Sequence, residues 1–174
     1  MKLLLTLALT FLIAQATYAQ SNDDSLANAF IPEKKSAVIY LQKTIKLNST
    51  DSINPDYEIA NGTRMLFEYE YRSKDIIAMS DDEMMEKIIF SINPNRKSFS
   101  FCNNSIMDTR LIFTQSCFCR DAGNYIIKAG NISGKKINAT TWKVKLKISY
   151  LARNSGIKVN KTFYLTYKIA KNND

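Results

Sequence analysis

Three cysteines, two neighbouring glutamates and a run of alternating lysines are the residues of this chain whose types and spacing can do chemistry. Cys102, Cys117 and Cys119 lie within eighteen residues of one another. Three thiolates so placed can hold Cu(I) or another soft metal, with Met84 or Met85 as a further ligand. In an oxidising compartment two of them instead form a structural disulfide and leave one thiol over, which is the default. On a strand, Cys117 and Cys119 point to the same side, too far apart for an unstrained bridge, so the expected bridge joins Cys102 to one of them across a hairpin. Glu68 and Glu70 share a strand face, and carboxylates ~5 to 5.5 Å apart are what a retaining glycosidase uses. Asp81, Asp82, Glu83 and Glu86 offer oxygen ligands for Ca²⁺ but lack the ordered spacing and glycine of an EF-hand loop. No cofactor and no metal follow from these residues.

The chain has no histidine, which removes Ser-His-Asp and Cys-His catalysis, His-ligated zinc and copper, and histidine pH switching. Its charge is uneven. Residues 20–124 hold 12 basic and 15 acidic side chains, whereas residues 125–174 hold 11 basic ones against Asp174 alone. Within that cationic third, Lys143, Lys145 and Lys147 project from one strand face at ~6.5 to 7 Å intervals. With Lys168 and Lys128, and with Lys135 and Lys136, they can form a stripe that attracts a polyanion such as an acidic polysaccharide or lipopolysaccharide phosphates. Alternatively they are a solvated face whose lysines block edge-to-edge aggregation. Tyr164 falls on the same face as Lys168, and Tyr150 lies near Arg153 in sequence.

The elements that would position these residues are strands. Trp142, Val144, Leu146, Ile148 and Tyr150 alternate with the lysines, and Phe163, Leu165, Tyr167 and Ile169 alternate with Thr162, Tyr164, Thr166 and Lys168. Met65, Phe67, Tyr69 and Tyr71 alternate in the same way with Leu66, Glu68, Glu70 and Arg72. Further strands are expected at 38–47, 84–92, 97–102, 111–118 and 124–129. Turn chemistry separates them at Asn54-Pro55, Asn61-Gly62, Asn93-Pro94-Asn95, Asn103-Asn104, Ser133-Gly134 and Asn154-Ser155-Gly156. A capped helix at 80–87 competes with the strand at 84–92. About eight antiparallel strands make an all-β domain, either a single antiparallel β-sandwich or a small up-and-down barrel. Trp142 reads as a core anchor.

Lys2 precedes an apolar run over 3–14, and Thr17-Tyr18-Ala19 supplies the small residues a signal peptidase requires. Residues 1–19 therefore read as a cleavable signal peptide, cut after Ala19, with the mature protein secreted or periplasmic. The run is shorter than the ~20 residues of a membrane-spanning helix, and no transmembrane segment is expected. Residues 20–36, polar and rich in Ser, Asn and Asp, read as a flexible leader, and 37–174 as one domain.

Ala16-Thr17-Tyr18-Ala19-Gln20, with glutamine directly after the cleavage alanine, resembles the leaders of exported proteins of the Bacteroidota. Asp24-Ser25-Leu26 and Asp51-Ser52-Ile53 resemble the Asp-Ser/Thr-apolar sites that these bacteria O-glycosylate. The mature part resembles their small secreted all-β proteins, notably at Ser116-Cys117-Phe118-Cys119, over 130–136 and at Trp142. The resemblance implies a compartment and carries no function. Six Asn-x-Ser/Thr sites, at Asn48, Asn61, Asn103, Asn131, Asn138 and Asn160, keep a eukaryotic secreted glycoprotein as the rival origin.

Together these readings favour a non-enzymatic, exported β-protein with a basic face, acting in envelope-associated binding or assembly. Its expected partner is an acidic polysaccharide or the acidic surface of a protein, with no nucleic acid. Two alternatives remain open: a barrel enclosing an apolar ligand among Phe67, Tyr69, Trp142 and Phe163, and a glycan hydrolase using Glu68 and Glu70.

Overall fold

Period-two alternation of apolar and polar residues builds strands with one face to bury, and here most of the buried apolar positions turn to a common core. The computed structural model describes residues 30, 31, 33–49, 55–73, 75, 76 and 83–170. The elements run β1 (Phe30–Ile31), β2 (Lys34–Leu47), β3 (Tyr57–Arg72), β4 (Asp75–Ile76), β5 (Met85–Ile92), β6 (Ser98–Cys102), a 3₁₀ helix (Asn103–Thr109), β7 (Ile112–Ser116), β8 (Gly123–Ile126), β9 (Ala129–Lys136), β10 (Thr141–Leu151) and β11 (Lys158–Ile169). β1 pairs with β4, and the other nine strands form one sheet in the order β6-β9-β10-β11-β2-β3-β5-β7-β8.

Every pairing in that sheet is antiparallel except the joint between β11 and β2, which is parallel and registers only Lys168 with Val38 and Ile169 with Ile39. The joint divides the sheet into two halves whose inner faces meet. Trp142 on β10 packs edge-on against Phe67 on β3, ring centroids 5.7 Å apart, and Phe90 on β5 meets Phe99 on β6 at 6.0 Å. Tyr125 on β8 lies 4.5 Å from Tyr150 on β10. Trp142, Tyr167, Phe67, Phe90 and Phe113 are among the most completely buried side chains. At one end of the interior, Lys161 of β11 pairs with Glu86 of β5 while lying 4.9 Å from the Phe113 ring.

The architecture is all-β and sandwich-like, and the barrel half of the expectation is corrected: β6 and β8 end the sheet without pairing to each other. The aromatic residues expected to line a ligand cavity pack on one another instead. Phe67 contacts Trp142 and Tyr167, and Tyr69 contacts Phe163.

A second, smaller core lies on the outer face of the β3-β5-β7 region. There Ile45, Leu66, Ile89 and Ile112 are buried together. They meet because β2 bulges between Leu41 and Lys43, with Gln42 left-handed at φ 55°, so the far end of the β2–β3 hairpin bends over the sheet. Arg110 donates to the Ile45 carbonyl and the Asn124 amide donates to the Pro55 carbonyl at 3.1 Å, which ties the hairpin down.

All eight expected strands are present, and several expected boundaries move. β2 begins at Lys34, so Lys34, Lys35 and Ser36, placed in the leader by composition, belong to the sheet. Asn61-Gly62 lies within β3 beside the bulge, and Ser133-Gly134 lies within β9, a strand hidden by its glycines. Gly134 is needed there because a side chain would collide with the Phe99 ring, and Gly130, at φ +133°, sits against the Lys147 carbonyl. Where a helix at 80–87 competed with a strand, Met85, Glu86 and Lys87 are strand. The signal peptide, Asp24-Ser25-Leu26 and Asp51-Ser52-Ile53 lie outside the described residues.

Candidate basic face

β10 buries Trp142, Val144, Leu146, Ile148 and Tyr150, so Lys143, Lys145, Lys147, Ser149 and Leu151 must occupy the opposite face. The register with β9 and β11 fixes their neighbours. Lys143 lies between Lys135 and Thr166, Lys145 between Ser133 and Tyr164, and Lys147 between Asn131 and Thr162. Thr141 stands beside Lys168, and Leu151 beside Lys158. On the far side of β9, Ser98, Ser100 and Cys102 of β6 continue the rows of Lys135, Ser133 and Asn131.

These rows contain lysine, serine, threonine, asparagine, a tyrosine, a cysteine and the exposed Leu151, and no acidic residue. Lys135, Lys143, Lys145, Lys147, Lys158 and Lys168 are all exposed, and none of them is in an ion pair among the described residues. The ammonium of Lys145 stands 5.1 Å from the centroid of Tyr164, a ring that is 73% exposed. Lys145 and Lys147 also rim a shallow depression of about 250 Å³ with Ser100, Cys102, Asn131 and Ser133. Small side chains on β6 and β9 make its floor, and the longer lysines of β10 make its wall.

No family model, curated protein or solved structure matches this chain.

Of the lysines expected to form a stripe, Lys135, Lys143, Lys145, Lys147 and Lys168 are brought together. Lys128 does not fall in these rows. It precedes β9 and borders a separate depression with Tyr125, Tyr150 and Leu151. Lys136 registers with the inward Trp142 and leaves the stripe by parity. Sequence reasoning missed Lys158, Ser100, Ser133 and Asn131. The signal for the last two was the weak alternation of Asn131 and Ser133 with Ile132 and Gly134. Two other basic residues of the last third serve the fold: Lys161 pairs with Glu86, and Arg153 donates to the Asn124 carbonyl at 3.1 Å.

The cysteine expectation is corrected. Cys117 and Cys119 are the pair at disulfide distance, with Cα atoms 5.1 Å apart, and Cys102 is a free, exposed thiol. The parity argument assumed a strand, but β7 stops at Ser116 and the chain bends through 117–119, which turns the two side chains toward each other. The three cysteines are thus not gathered into one thiolate site.

Glu68 and Glu70 do share the outer face of β3, each beside a cation. Glu68 meets the Lys87 ammonium at 2.9 Å, and Glu70 meets Arg72 at 2.8 Å. Burial alone would lower the Lys87 pKa, but the hydrogen bond and charge of Glu68 outweigh it and hold it above the usual lysine value. Of the expected acidic patch, Asp81 and Asp82 lie outside the described residues, and Glu83 and Glu86 turn to different partners, Arg72 and Lys161. Among the described residues no helix is long and apolar enough to cross a membrane.

Proposed function

We propose that this is an exported, non-catalytic β-protein that binds an acidic polysaccharide along the outer face of β9, β10 and β11. One observation carries the reading: six exposed lysines share a face with no acidic residue and no described ion pair. Charge that the fold neither uses nor neutralises is available for a ligand, and its field concentrates polyanions at the surface. From Lys143 to Leu151 the face extends about 27 Å along β10, long enough for several sugar units of a linear chain. The hydroxyl and amide groups between the lysines, with the exposed Tyr164, suit a hydroxyl-rich partner better than the apolar centre of a protein interface does.

The test is retention of the purified protein on an immobilised acidic polysaccharide over a range of salt. Retention should fall with salt and be largely lost when Lys143, Lys145 and Lys147 are changed together to Gln. Undiminished retention in that variant removes the face from consideration. Absence of retention at low salt would turn the search to an acidic protein partner.

A further inference from the structure

The depression at the β6 side of the basic face is more specific than the stripe around it. Its six lining residues occupy two adjacent register rows across three strands: Ser100, Ser133 and Lys145 in one, Cys102, Asn131 and Lys147 in the next. Neighbouring strands stand ~4.8 Å apart and successive outward residues ~6.8 Å apart, so all six side chains surround one point. The hydrogen-bonding inventory is rich in donors: two ammonium groups, two hydroxyls and one amide, with no carboxylate. A carboxylate ligand presents two oxygens to such a set, whereas a sulfate or phosphate monoester presents three terminal oxygens and can engage donors from both rows at once. Size points the same way. At about 250 Å³ the depression falls below the roughly 300 to 1,000 Å³ of sites that hold a whole drug-sized ligand, which matches a single substituent. The Tyr164 ring, 5.1 Å from the Lys145 ammonium, stands on β11 on the other side of Lys145 and is not part of the depression's lining.

We propose that this depression is a subsite for a sulfate or phosphate monoester carried by the bound polysaccharide, held by Lys145 and Lys147 with Ser100, Ser133 and the Asn131 amide. The inference rests on the polysaccharide reading of the same face. It adds that the face distinguishes ester-bearing chains from carboxylated ones and that Lys145 and Lys147 count for more than their charge.

Cys102 supplies a local reporter, because it lines the depression and the other two cysteines are paired. The probes are dextran sulfate, phosphorylated dextran and carboxymethyl dextran of matched charge density, and the readouts are salt-dependent retention and the rate of Cys102 alkylation by a neutral reagent. One of the two ester-bearing dextrans should slow alkylation at least about tenfold, the order that one charge-assisted hydrogen bond supplies, while carboxymethyl dextran protects less. Whichever ester protects more identifies the substituent. Two charge-matched variants separate the subsite from the general field. Lys145→Gln with Lys147→Gln should lose the protection and about tenfold more affinity than Lys135→Gln with Lys143→Gln. Asn131→Asp, which places a carboxylate in the depression at an exposed position, should abolish ester preference while the circular dichroism spectrum stays unchanged. Retention with Cys102 unprotected, or equal losses from the two lysine pairs, would overturn the subsite and leave the basic face standing. If no dextran is retained, both readings fall.

Discussion

The two halves of the sheet share one core and differ in what they do with their outer faces. On the β2-β3-β5-β7-β8 half the outer face is closed by the protein itself. A hairpin folds over it, Ile45 is buried against Leu66, Ile89 and Ile112, and Glu68, Glu70 and Glu83 are matched to Lys87 and Arg72. Arg64 there donates to the Ser91 hydroxyl at 2.9 Å and to the carbonyls of Ser91 and Asp108. On the β6-β9-β10-β11 half the outer face is open, and its lysines are without described counter-ions. The 3₁₀ helix after β6 turns inward instead, with Ile106 in the common core. The closed half shows how this chain satisfies an outer face when the fold needs it, and the open half lacks those devices. That contrast is the physical case for a binding surface.

The comparison breaks first if the halves do not share a core. Trp142→Ala and Phe67→Ala each remove a fully buried ring from opposite halves and should each cost about 3 to 5 kcal/mol. Chemical denaturation should show one transition in both variants. Two separable transitions would mean that the halves are independent and that the parallel joint between β11 and β2 is only a tether.

The closed face should itself be worth energy. Ile45→Ala empties the centre of the second cluster and should destabilise the protein by roughly 2 to 4 kcal/mol, read from the denaturation midpoint. A loss near that of an exposed substitution would show that the hairpin rests on the sheet without packing against it, and the contrast between the faces would weaken.

How far each face could be read in advance follows from the range of the interactions. β10 was legible because alternation is local: Trp142 to Tyr150 declare a buried face, and that assigns Lys143, Lys145 and Lys147 to the opposite one. The rows of the depression were not, because Ser100 reaches Lys145 only through Ser133 on β9, and Gly130 and Gly134 made β9 look like a turn. The glycines are there for a non-local reason, the space taken by the Phe99 ring and the Lys147 carbonyl. The folded-over hairpin was hidden in the same way, since Asn61-Gly62 reads as a turn until Gln42 on the partner strand is known to bulge. The cysteine pairing failed at one residue, Ser116, where the strand ends sooner than its composition indicates.

The interior charges sharpen the comparison at intermediate size. Glu86→Gln leaves Lys161 without its counter-ion between the halves and should cost about 1 to 2 kcal/mol, less than breaking a fully buried pair because Lys161 keeps some contact with solvent. Tyr150 tests the same end of the interior by pH. Burial, with the Tyr125 phenol and Glu86 nearby, pushes its pKa up to about 12. Unfolded tyrosine titrates near ~10. Because the folded pKa is the higher one, the native state holds the proton longer than the unfolded state, and stability present below pH ~10 falls as pH rises toward 12. Denaturation midpoints followed across that range should fall as phenolate absorbance, the second readout, rises, and Tyr150→Phe should reduce the decline, the rest belonging to Tyr40, Tyr69 and Tyr167, whose burial also raises their pKa values.

The smallest effect on stability is the most informative for function. Lys143, Lys145 and Lys147 changed together to Gln should leave the denaturation midpoint almost unmoved, since exposed substitutions stay within about 0.5 kcal/mol each, and removing mutual repulsion offsets part of any loss. Lys87→Gln, one substitution on the closed face, should cost more than its share of that total, because it strands Glu68 at a half-buried position where the carboxylate loses its 2.9 Å partner. If instead the triple variant unfolds readily, the lysines are supporting the sheet, through their stems or by protecting its edge, and the open face needs no ligand to explain it. If the midpoint holds while polysaccharide retention collapses, the two properties separate cleanly. A charge cluster that contributes nothing to stability yet controls binding is then explained by what it binds.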